Sequence, residues 1–503
     1  MKRSGDRADY RKAVGILRRE RRGMTAADLA AAAALPLSSA RELLSQAADE
    51  FRGRLRVTES SEILYDFPRG FTSRYRSLGA RFGRFMDGFV SVSLKCLSWA
   101  FKAWILVMLV GYFAIFMLIA LAALVLSMAG GSSGSNSRSR NSSAGGVFLA
   151  SRIFDLIIRL WFYSELTRAM DGSYQRSAPR RRGKPLHKAV FSFVFGEKDP
   201  NEGADAAEKR ALIARLGACR GIISLPEYMA VTGLGPQEAE QGILAFCAEF
   251  GGFPEATDEG TIVYRFQDIL LRAATAETAK AESATSRAAA EATAGTAAAW
   301  GPPRQRRVFS SNSKSMNVWF GIINSVNLLV GAYFSSQALG VGIIRTAEQL
   351  QAAPKLYGIT YYLASHVFDN PYPVILAGLG FVPLLFSAFF WLIPALRSAR
   401  LKSENRAIEK RNLRKSGFRV IWERPRGVRT ADLAAASPGS PEKEREKIIT
   451  EMGSYSQPDV EVDDRGTVYN FTELEREKKA LESGRAAVNP EDFKIGKVIF
   501  DSE

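Results

Sequence analysis

Three stretches of the chain contain no charged residue at all, and they form the clearest pattern in the sequence: 103–128, 315–344 and 371–396. A helix that crosses the hydrocarbon core of a membrane needs roughly 20 consecutive apolar residues. The pattern therefore predicts transmembrane helices at 103–128, 316–344 and 371–396. Pro383 and Pro394 are expected to bend or end the last of them.

A fourth apolar stretch, 147–164, differs from the others because it carries three charges. Arg152, Asp155 and Arg159 are spaced so that they share one face of a helix. Charged residues inside a span are costly unless they are paired or face protein. We predict a returning transmembrane helix whose charged face meets protein; a helix lying on the membrane surface is the alternative.

Three polar stretches share a common pattern, and we call them modules 1, 2 and 3: residues 8–68, 205–271 and 404–475. Module 1 contains GMTAADLAAA and module 3 contains GVRTADLAAA, while modules 2 and 3 contain TIVYRF and TVYNF near their C-terminal ends. The separation between the opening glycine and the closing tyrosine changes by no more than one residue among the three. Such constant spacing predicts one folding unit that is used three times.

Each module has the pattern of short helices followed by a two-stranded hairpin. In module 1, Ser39 and Glu42 have the spacing of a capping box before a helix, and Leu55 and Val57 alternate before an ESSE turn. This order of elements resembles the winged helix-turn-helix superfamily, and the resemblance implies a small α+β fold whose hairpin is the wing. The predicted core residues of the modules are Leu29, Tyr65, Phe67, Tyr264, Phe266, Leu433, Tyr469 and Phe471.

Basic residues are concentrated beside the apolar stretches. The chain has 68 Lys and Arg against 52 Asp and Glu, and the clusters follow the positive-inside pattern, which attraction to anionic lipid headgroups reinforces. The opening residues lack an apolar run of signal-peptide type. We therefore predict a mainly α, polytopic helical membrane protein with three small α+β winged-helix-like cytoplasmic domains. It is expected in the cytoplasmic (inner) membrane of a bacterium, in contact with membrane lipid, with both termini cytoplasmic.

The segments that join these elements have weaker patterns. Residues 69–102 are predicted as an amphipathic juxtamembrane helix, 272–303 as an Ala-rich helix or linker, and 476–503 as a C-terminal tail. In a fourth segment, 189–201, three phenylalanines alternate with other residues. That alternation predicts an extended strand on module 2 or an aromatic element at the membrane interface.

The sequence carries no recognisable motif for catalysis or metal binding. It lacks a Walker loop, GxSxG, HExxH, and GxGxxG in the right context. Cys96, Cys219 and Cys247 are isolated and only two histidines occur, which argues against a zinc site or a disulfide framework. We expect no enzymatic activity, no cofactor and no metal.

Winged helices most often read DNA through the second helix of the turn motif, with basic residues on phosphate. The corresponding stretches here all contain more acidic than basic residues: 38–50, 236–250 and 441–452. Since neutralising phosphate supplies most of the affinity for DNA, nucleic acid is not the expected partner. Arg52, Arg54 and Arg56 of the first hairpin would contact it only under the alternative of a membrane-tethered transcription regulator.

Two amides, Asn324 and Asn327, lie one helical turn apart in the predicted span 316–344. Polar residues in spans commonly bond one helix to another. A substrate or ion path along this face is the alternative, and it would make the protein a small transporter.

The hypothesis that fits these patterns best is a non-enzymatic membrane scaffold or assembly factor. Its modules would bind protein, either each other or an outside partner whose identity the sequence does not give. A homo-oligomer is compatible with this hypothesis.

Overall fold

The computed structural model describes residues 4–19, 23–67, 78–129, 184–272, 300–493 and 495–502. They belong to two compact units: unit 1 is Met1–Arg84, Asp199–Arg306 and Glu404–Glu503, and unit 2 is Phe85–Lys198 and Arg307–Ser403. The described chain is mostly helical, and its strands all lie in unit 1. The prediction of a mainly α chain with small sheets is confirmed.

The described helices and strands, in chain order, are α1 (Ser4–Arg19), α2 (Ala26–Ala33), α3 (Leu37–Phe51), β1 (Arg54–Thr58), β2 (Ile63–Asp66), α4 (Leu78–Ala129), α5 (Leu186–Phe195), α6 (Ala204–Ala218), β3 (Ile222–Ile223), α7 (Leu225–Thr232), α8 (Pro236–Phe250), β4 (Gly252–Ala256), β5 (Ile262–Phe266), α9 (Lys314–Val341), α10 (Ala347–Ala352), α11 (Lys355–Ser365), α12 (Val382–Glu423), α13 (Thr430–Ala436), α14 (Glu442–Gly453), β6 (Asp459–Asp463), β7 (Gly466–Asn470), α15 (Thr472–Ala487) and β8 (Val498–Asp501).

The three modules have the same order of elements, in which helices are followed by an antiparallel hairpin. The hairpins are β1 with β2, β4 with β5, and β6 with β7. The first helices are α1, α6 and the C-terminal part of α12. That these modules are winged helices, or copies of one another, stays a prediction.

Local sequence explains where the module helices begin. Thr25 caps α2, because its hydroxyl accepts a hydrogen bond from the Asp28 amide while the Asp28 carboxylate accepts one from the Thr25 amide. The capping box predicted at Ser39 and Glu42 is wrong. α3 begins earlier, directly after Pro36, whose ring presets the backbone for a chain that enters a helix.

Unit 1 is held together by one apolar core to which all three modules contribute. Its fully buried side chains include Leu29 and Leu44 of module 1, Phe266 of module 2, and Phe418 and Phe471 of module 3. The modules therefore bury their apolar faces against each other as well as inside themselves.

Unit 2 is a helical bundle with two apolar clusters. One cluster joins α4, α5, α9 and α12 around Leu109, Phe193 and Phe320. The other joins α4, α9 and α11 around Phe334 and Tyr357. Within the described residues, three helices are long and apolar enough to cross a membrane, namely Val92–Val125, Lys314–Val341 and Pro371–Glu423.

These three helices fall where three of the four spans were predicted, but two of them are longer. The predicted juxtamembrane segment 69–102 is, from Leu78 onward, the start of α4 and continuous with the first span. Pro394 does not end its helix, since α12 runs through it to Glu423. Residues Val374–Phe381 form a π-helix directly before α12. This wider turn accommodates Pro383, which has no amide hydrogen for the carbonyl four residues earlier.

The prediction of a strand at 189–201 is wrong, because α5 is a helix. Phe191 and Phe195 are one helical turn apart and their rings lie 4.9 Å from each other, whereas Phe193 points to the bundle core. An apolar helix and a buried strand are hard to tell apart when a short segment is apolar on every side. The Arg397 guanidinium donates to the carbonyls of Ser192 and Phe193 and so stabilises the helix end.

The segment 476–503, predicted only as a tail, has regular structure. α15 packs into the core of unit 1 through Leu474 and Leu481. β8 then pairs antiparallel with β1, which gives the sheet order β2-β1-β8. The other sheets are β3-β5-β4 and β6-β7.

Candidate functional site

Glu208 of α6 is the centre of a buried ion cluster in unit 1. Its carboxylate accepts hydrogen bonds from Lys415 at 2.8 Å, from Arg411 at 2.8 Å and from Arg304 at 3.2 Å. Both Glu208 and Lys415 are buried. Because Arg411 and Lys415 belong to α12, the cluster bonds module 2 to module 3.

Glu227 of α7 is the centre of a second cluster, and its side chain is fully buried. It accepts from Arg215 at 2.6 Å and from Arg485 of α15 at 2.5 Å. The Arg485 guanidinium also donates to the Ile222 carbonyl, and the Arg215 guanidinium lies 3.7 Å above the Trp300 ring. This cluster therefore bonds module 2 to the helix that follows module 3.

Glu477 of α15 is a buried carboxyl group without a basic partner in its hydrogen bonds. Both of its oxygens accept from the Tyr455 hydroxyl, at 3.2 and 3.0 Å. The pKa of Glu477 is raised to about 7, chiefly by burial; the Tyr455 hydrogen bond lowers it and the nearby Glu227 carboxylate raises it. Glu477 is thus a buried carboxyl group whose charge changes near neutral pH.

The carboxylates of these clusters bond one helix to another, and their hydrogen-bonding oxygens are already occupied. The Glu208 and Glu227 carboxylates are taken up by Arg and Lys side chains. Burial raises the pKa of the Cys247 thiol to about 11 and also raises that of Cys219, so neither is a ready thiolate. Within the part of the chain that the structure describes, no group of three His, Cys, Asp or Glu residues could hold a metal ion.

The residues predicted for the module cores lie where the three hairpins meet the helices. Leu29, Leu433, Phe266 and Phe471 are buried, as are Tyr65 and Tyr264, while Phe67 and Tyr469 are half-buried against the same core. The three tyrosines take equivalent places in the hairpins. Their cross-strand partners are Leu55 for Tyr65, Pro254 for Tyr264 and Val460 for Tyr469.

The three arginines named for the DNA-binding alternative do not act as a set. Arg52 and Arg54 are exposed. Arg56 is engaged, because it forms an ion pair with Asp66 and lies 4.0 Å from Asp501 of β8. Two of the three are therefore free to meet a phosphate.

The two amides of the predicted span 316–344 are fully buried in unit 2 and bond one helix to another. The Asn324 side-chain amide donates to the Ser387 carbonyl at 3.0 Å, and that of Asn327 donates to the Leu109 carbonyl at 2.8 Å. The side-chain oxygens of both accept no hydrogen bond. The other intramembrane residues predicted from sequence, Arg152, Asp155 and Arg159, lie outside the described residues.

The buried carboxylates were not predicted from the sequence, although a signal for one of them exists. Glu208 is in helical phase with Leu212 and Leu216, which are both buried. A charge on the apolar face of an amphipathic helix must be paired when it is buried. The partners could not be found in this way, because Lys415 is 207 positions away in sequence.

Comparisons with known proteins give no activity. No family model matches the chain, and no solved structure matches it. The chain is similar to an Arabidopsis thaliana protein described as uncharacterized and chloroplastic, with 25% identity over 256 residues. The match covers 49% of this chain and 46% of that relative, so the chain spans about half the length of the protein it resembles. The relative is described as chloroplastic, and a bacterial inner membrane stays a prediction.

Proposed function

We propose that this chain is an integral membrane protein without catalytic activity, whose three winged-helix-like modules form one assembly that binds protein as a scaffold or assembly factor. The observation that supports this most is the single apolar core of unit 1. Residues from all three modules are buried in it, and this packing of module against module within one chain supports a role in binding protein.

The helices that would read DNA in winged-helix proteins are the second support. Arg414 of α12 donates to Glu451 of α14 at 2.7 Å and lies 3.5 Å from Glu238 of α8. The helices of modules 2 and 3 that correspond to the DNA-reading helix, α8 and α14, therefore both interact with Arg414. A helix that enters a groove of DNA needs a free surface with basic residues, and these helices have acidic residues at the corresponding place.

The arrangement of the chain supports four membrane crossings. Modules that share one core must lie on the same side of a membrane. Between modules 2 and 3 the chain has two of the helices that could span, Lys314–Val341 and Pro371–Glu423. Between modules 1 and 2 it has Val92–Val125, and the returning helix predicted at 147–164, which lies outside the described residues, would complete the pair.

The experiment that tests this function uses the full-length protein purified in a mild detergent. We expect another protein to copurify in a fixed ratio after cross-linking in cells, because the modules are proposed to bind protein. We also expect duplex DNA to bind more weakly than micromolar at low salt. Fluorescence anisotropy of labelled DNA during a salt titration measures the second quantity.

The matched control carries Arg52→Glu and Arg54→Glu, which leaves the Arg56 ion pairs intact. It should bind DNA and the copurifying protein as the unsubstituted protein does. Micromolar or tighter DNA binding that weakens steeply with salt and is lost in this variant would favour a membrane-tethered regulator. Absence of any copurifying protein would remove the scaffold proposal.

A further inference from the structure

Each of the three hairpins has an outer edge formed by the corresponding strand, and the three edges differ in whether another strand can pair with them. The edge belongs to the strand that follows the third helix, which is β1, β4 or β6. The residue opposite the recurring tyrosine marks the same position in each: Leu55, Pro254 and Val460. Alternate residues of an antiparallel edge strand turn their amide and carbonyl groups away from the neighbouring strand.

In module 1 this edge is occupied. The Thr58 amide bonds back to Glu62, so the backbone groups of Leu55 face outward. They bond β8: the Leu55 carbonyl accepts from the Ser502 amide at 3.0 Å, and the Leu55 amide donates to the Ser502 hydroxyl at 3.0 Å. The Glu59 amide likewise donates to the Lys497 carbonyl at 3.0 Å.

In module 2 the same edge is blocked by its sequence. The Thr257 amide bonds back to Thr261, so Pro254 is a residue that faces outward. Proline has no amide hydrogen to donate to another strand, and it is a common way to protect a sheet edge. A partner strand could not be bonded at the position where Leu55 bonds β8.

In module 3 no described strand occupies the edge and no proline blocks it. Asp463 and Gly466 close a two-residue turn as a bonded pair, so the backbone groups of Val460 and Val462 face outward. Their side chains are 57% and 80% exposed. Among the described strands, β6 pairs only with β7, and it contains no proline.

Charge indicates what kind of strand would bind there. β1 carries Arg54 and Arg56, and its neighbour β8 brings Asp501 to 4.0 Å from Arg56. The strand and its occupant in module 1 are thus oppositely charged. β6 has the reverse charge, because its valines alternate with Asp459, Glu461 and Asp463. Asp463 is ion-paired with Arg429 of the same module, which leaves Asp459 and Glu461 to meet a partner. A second copy of β6 would place like charges opposite each other, which is destabilising.

We propose that the outer edge of β6 binds an extended segment of a partner protein in which Lys or Arg alternates with apolar residues. The main chain of that segment would bond the backbone of Val460 and Val462, and its basic side chains would meet the acidic face of β6. Addition of a strand to a sheet edge is a general way to bind peptides. The inference rests on the proposed scaffold function and names the chemistry of its partner.

The test uses the full-length protein in detergent and two fluorescein-labelled decapeptides, one of alternating Lys and Val and one of alternating Glu and Val. We expect the basic peptide to bind at least tenfold more tightly than the acidic one in fluorescence anisotropy. Val460→Pro, which copies the situation at Pro254, should weaken binding at least tenfold. Val460→Thr keeps the amide hydrogen and should stay within about threefold of the unsubstituted protein. Glu461→Lys should remove the preference for the basic peptide.

Two results obtained with the purified protein would overturn the inference. One is equal binding of the basic peptide by the unsubstituted protein and by Val460→Pro. The other is a dimer, measured by light scattering, that Val460→Pro converts to a monomer, since a second copy would then occupy the edge. The peptide assay needs no native partner. A failure to copurify any protein would therefore overturn the scaffold proposal, while the peptide assay would still test binding at the β6 edge. If Val460→Pro captured a native partner as strongly as the unsubstituted protein does, the proposed binding at the β6 edge would be overturned. The scaffold proposal would then still stand.

Discussion

Unit 1 and unit 2 both bury polar side chains to bond helices that are far apart in sequence, but they use different chemistry. Unit 1 uses ions, as at Glu208, whose carboxylate accepts from three basic side chains. Unit 2 uses neutral amides, as at Asn324 and Asn327, each of which donates one hydrogen bond to a backbone carbonyl.

Under the proposed membrane location of unit 2, the difference follows from what surrounds each unit. Removing a charge from water costs several kcal/mol, and the cost is recovered only when excellent geometry and further hydrogen bonds satisfy the charge. The Glu208 cluster meets that condition by combining several partners. A helix that crosses a membrane has few charged side chains nearby to pair with an ion. Neutral amides and small residues bond and pack such helices instead. A Cβ on Gly331 would lie 3.0 Å from the Leu384 amide nitrogen, so glycine lets these two helices approach closely.

Among substitutions that test this difference between the two units, the largest loss of stability is expected at Glu208. Replacing it as Glu208→Gln removes the charge that the buried Lys415 shares with the half-buried Arg304 and Arg411. Breaking a buried ion pair on one side costs about 3–5 kcal/mol, because the remaining charge is left without compensation. Urea unfolding of the detergent-purified protein, followed by tryptophan fluorescence, measures the loss.

Asp205→Asn is the matched control for that substitution. Asp205 also pairs with Arg304, but its side chain is 84% exposed, and exposed pairs contribute little. If the two variants lost the same stability, the cluster would not be an important bond between modules 2 and 3.

The next largest effect concerns Glu477 and depends on pH. Its pKa of about 7 lies above the value of 4.5 that it has when unfolded. The folded protein therefore holds an extra proton between these values, so the free energy of unfolding falls as pH rises through this window and stays lower above it. We expect Glu477→Gln to be more stable than the unsubstituted protein at pH 8 by up to about 3 kcal/mol, and the gain to fall below about 1 kcal/mol near pH 5.

Thermal unfolding of both proteins, recorded at about six pH values between 4.5 and 8, measures this difference in stability. Glu482→Gln is the control, because it lies on the same helix and is exposed; it should change stability by less than about 0.5 kcal/mol at any pH. A gain for Glu477→Gln that is the same at every pH would contradict titration of this carboxyl group.

The smallest effect is expected in unit 2. Asn324→Leu and Asn327→Leu each remove one hydrogen bond between helices, and such bonds average about 0.6 kcal/mol in membrane proteins and reach about 1.7. Unfolding by titration of the mixed micelles with a denaturing detergent measures the loss. Leu329→Ala is the control on the same helix, because the Leu329 side chain is 70% exposed. A cell that carries both Asn substitutions and transports solutes normally would also remove the transporter alternative.

Sequence alone predicted the elements whose pattern is local. Stretches without charge located three helices that could span a membrane, and the alternation around Tyr65, Tyr264 and Tyr469 located the three hairpins. α5 was missed because Phe193 and its neighbours are apolar on every side of the helix, so that no period distinguishes helix from strand.

The candidate sites could not be predicted in the same way, because they depend on partners distant in sequence. Glu227 accepts from Arg485, which is 258 positions later. Nothing around Glu227 indicates that partner, although the spacing from Ser224 does indicate a cap. The open edge of β6 is likewise visible only when its register is compared with those of β1 and β4.

The pairing of β1 with β8 also sets the order in which the molecule can be completed. Leu55 and Ser502 are 447 positions apart. A ribosome that adds roughly 5–20 residues per second needs about 20 to 90 s for that length of chain. Throughout this interval the first hairpin is already made while its neighbouring strand does not yet exist. The sheet of module 1 is therefore completed only after modules 2 and 3 have been synthesised, although its first two strands are made before them.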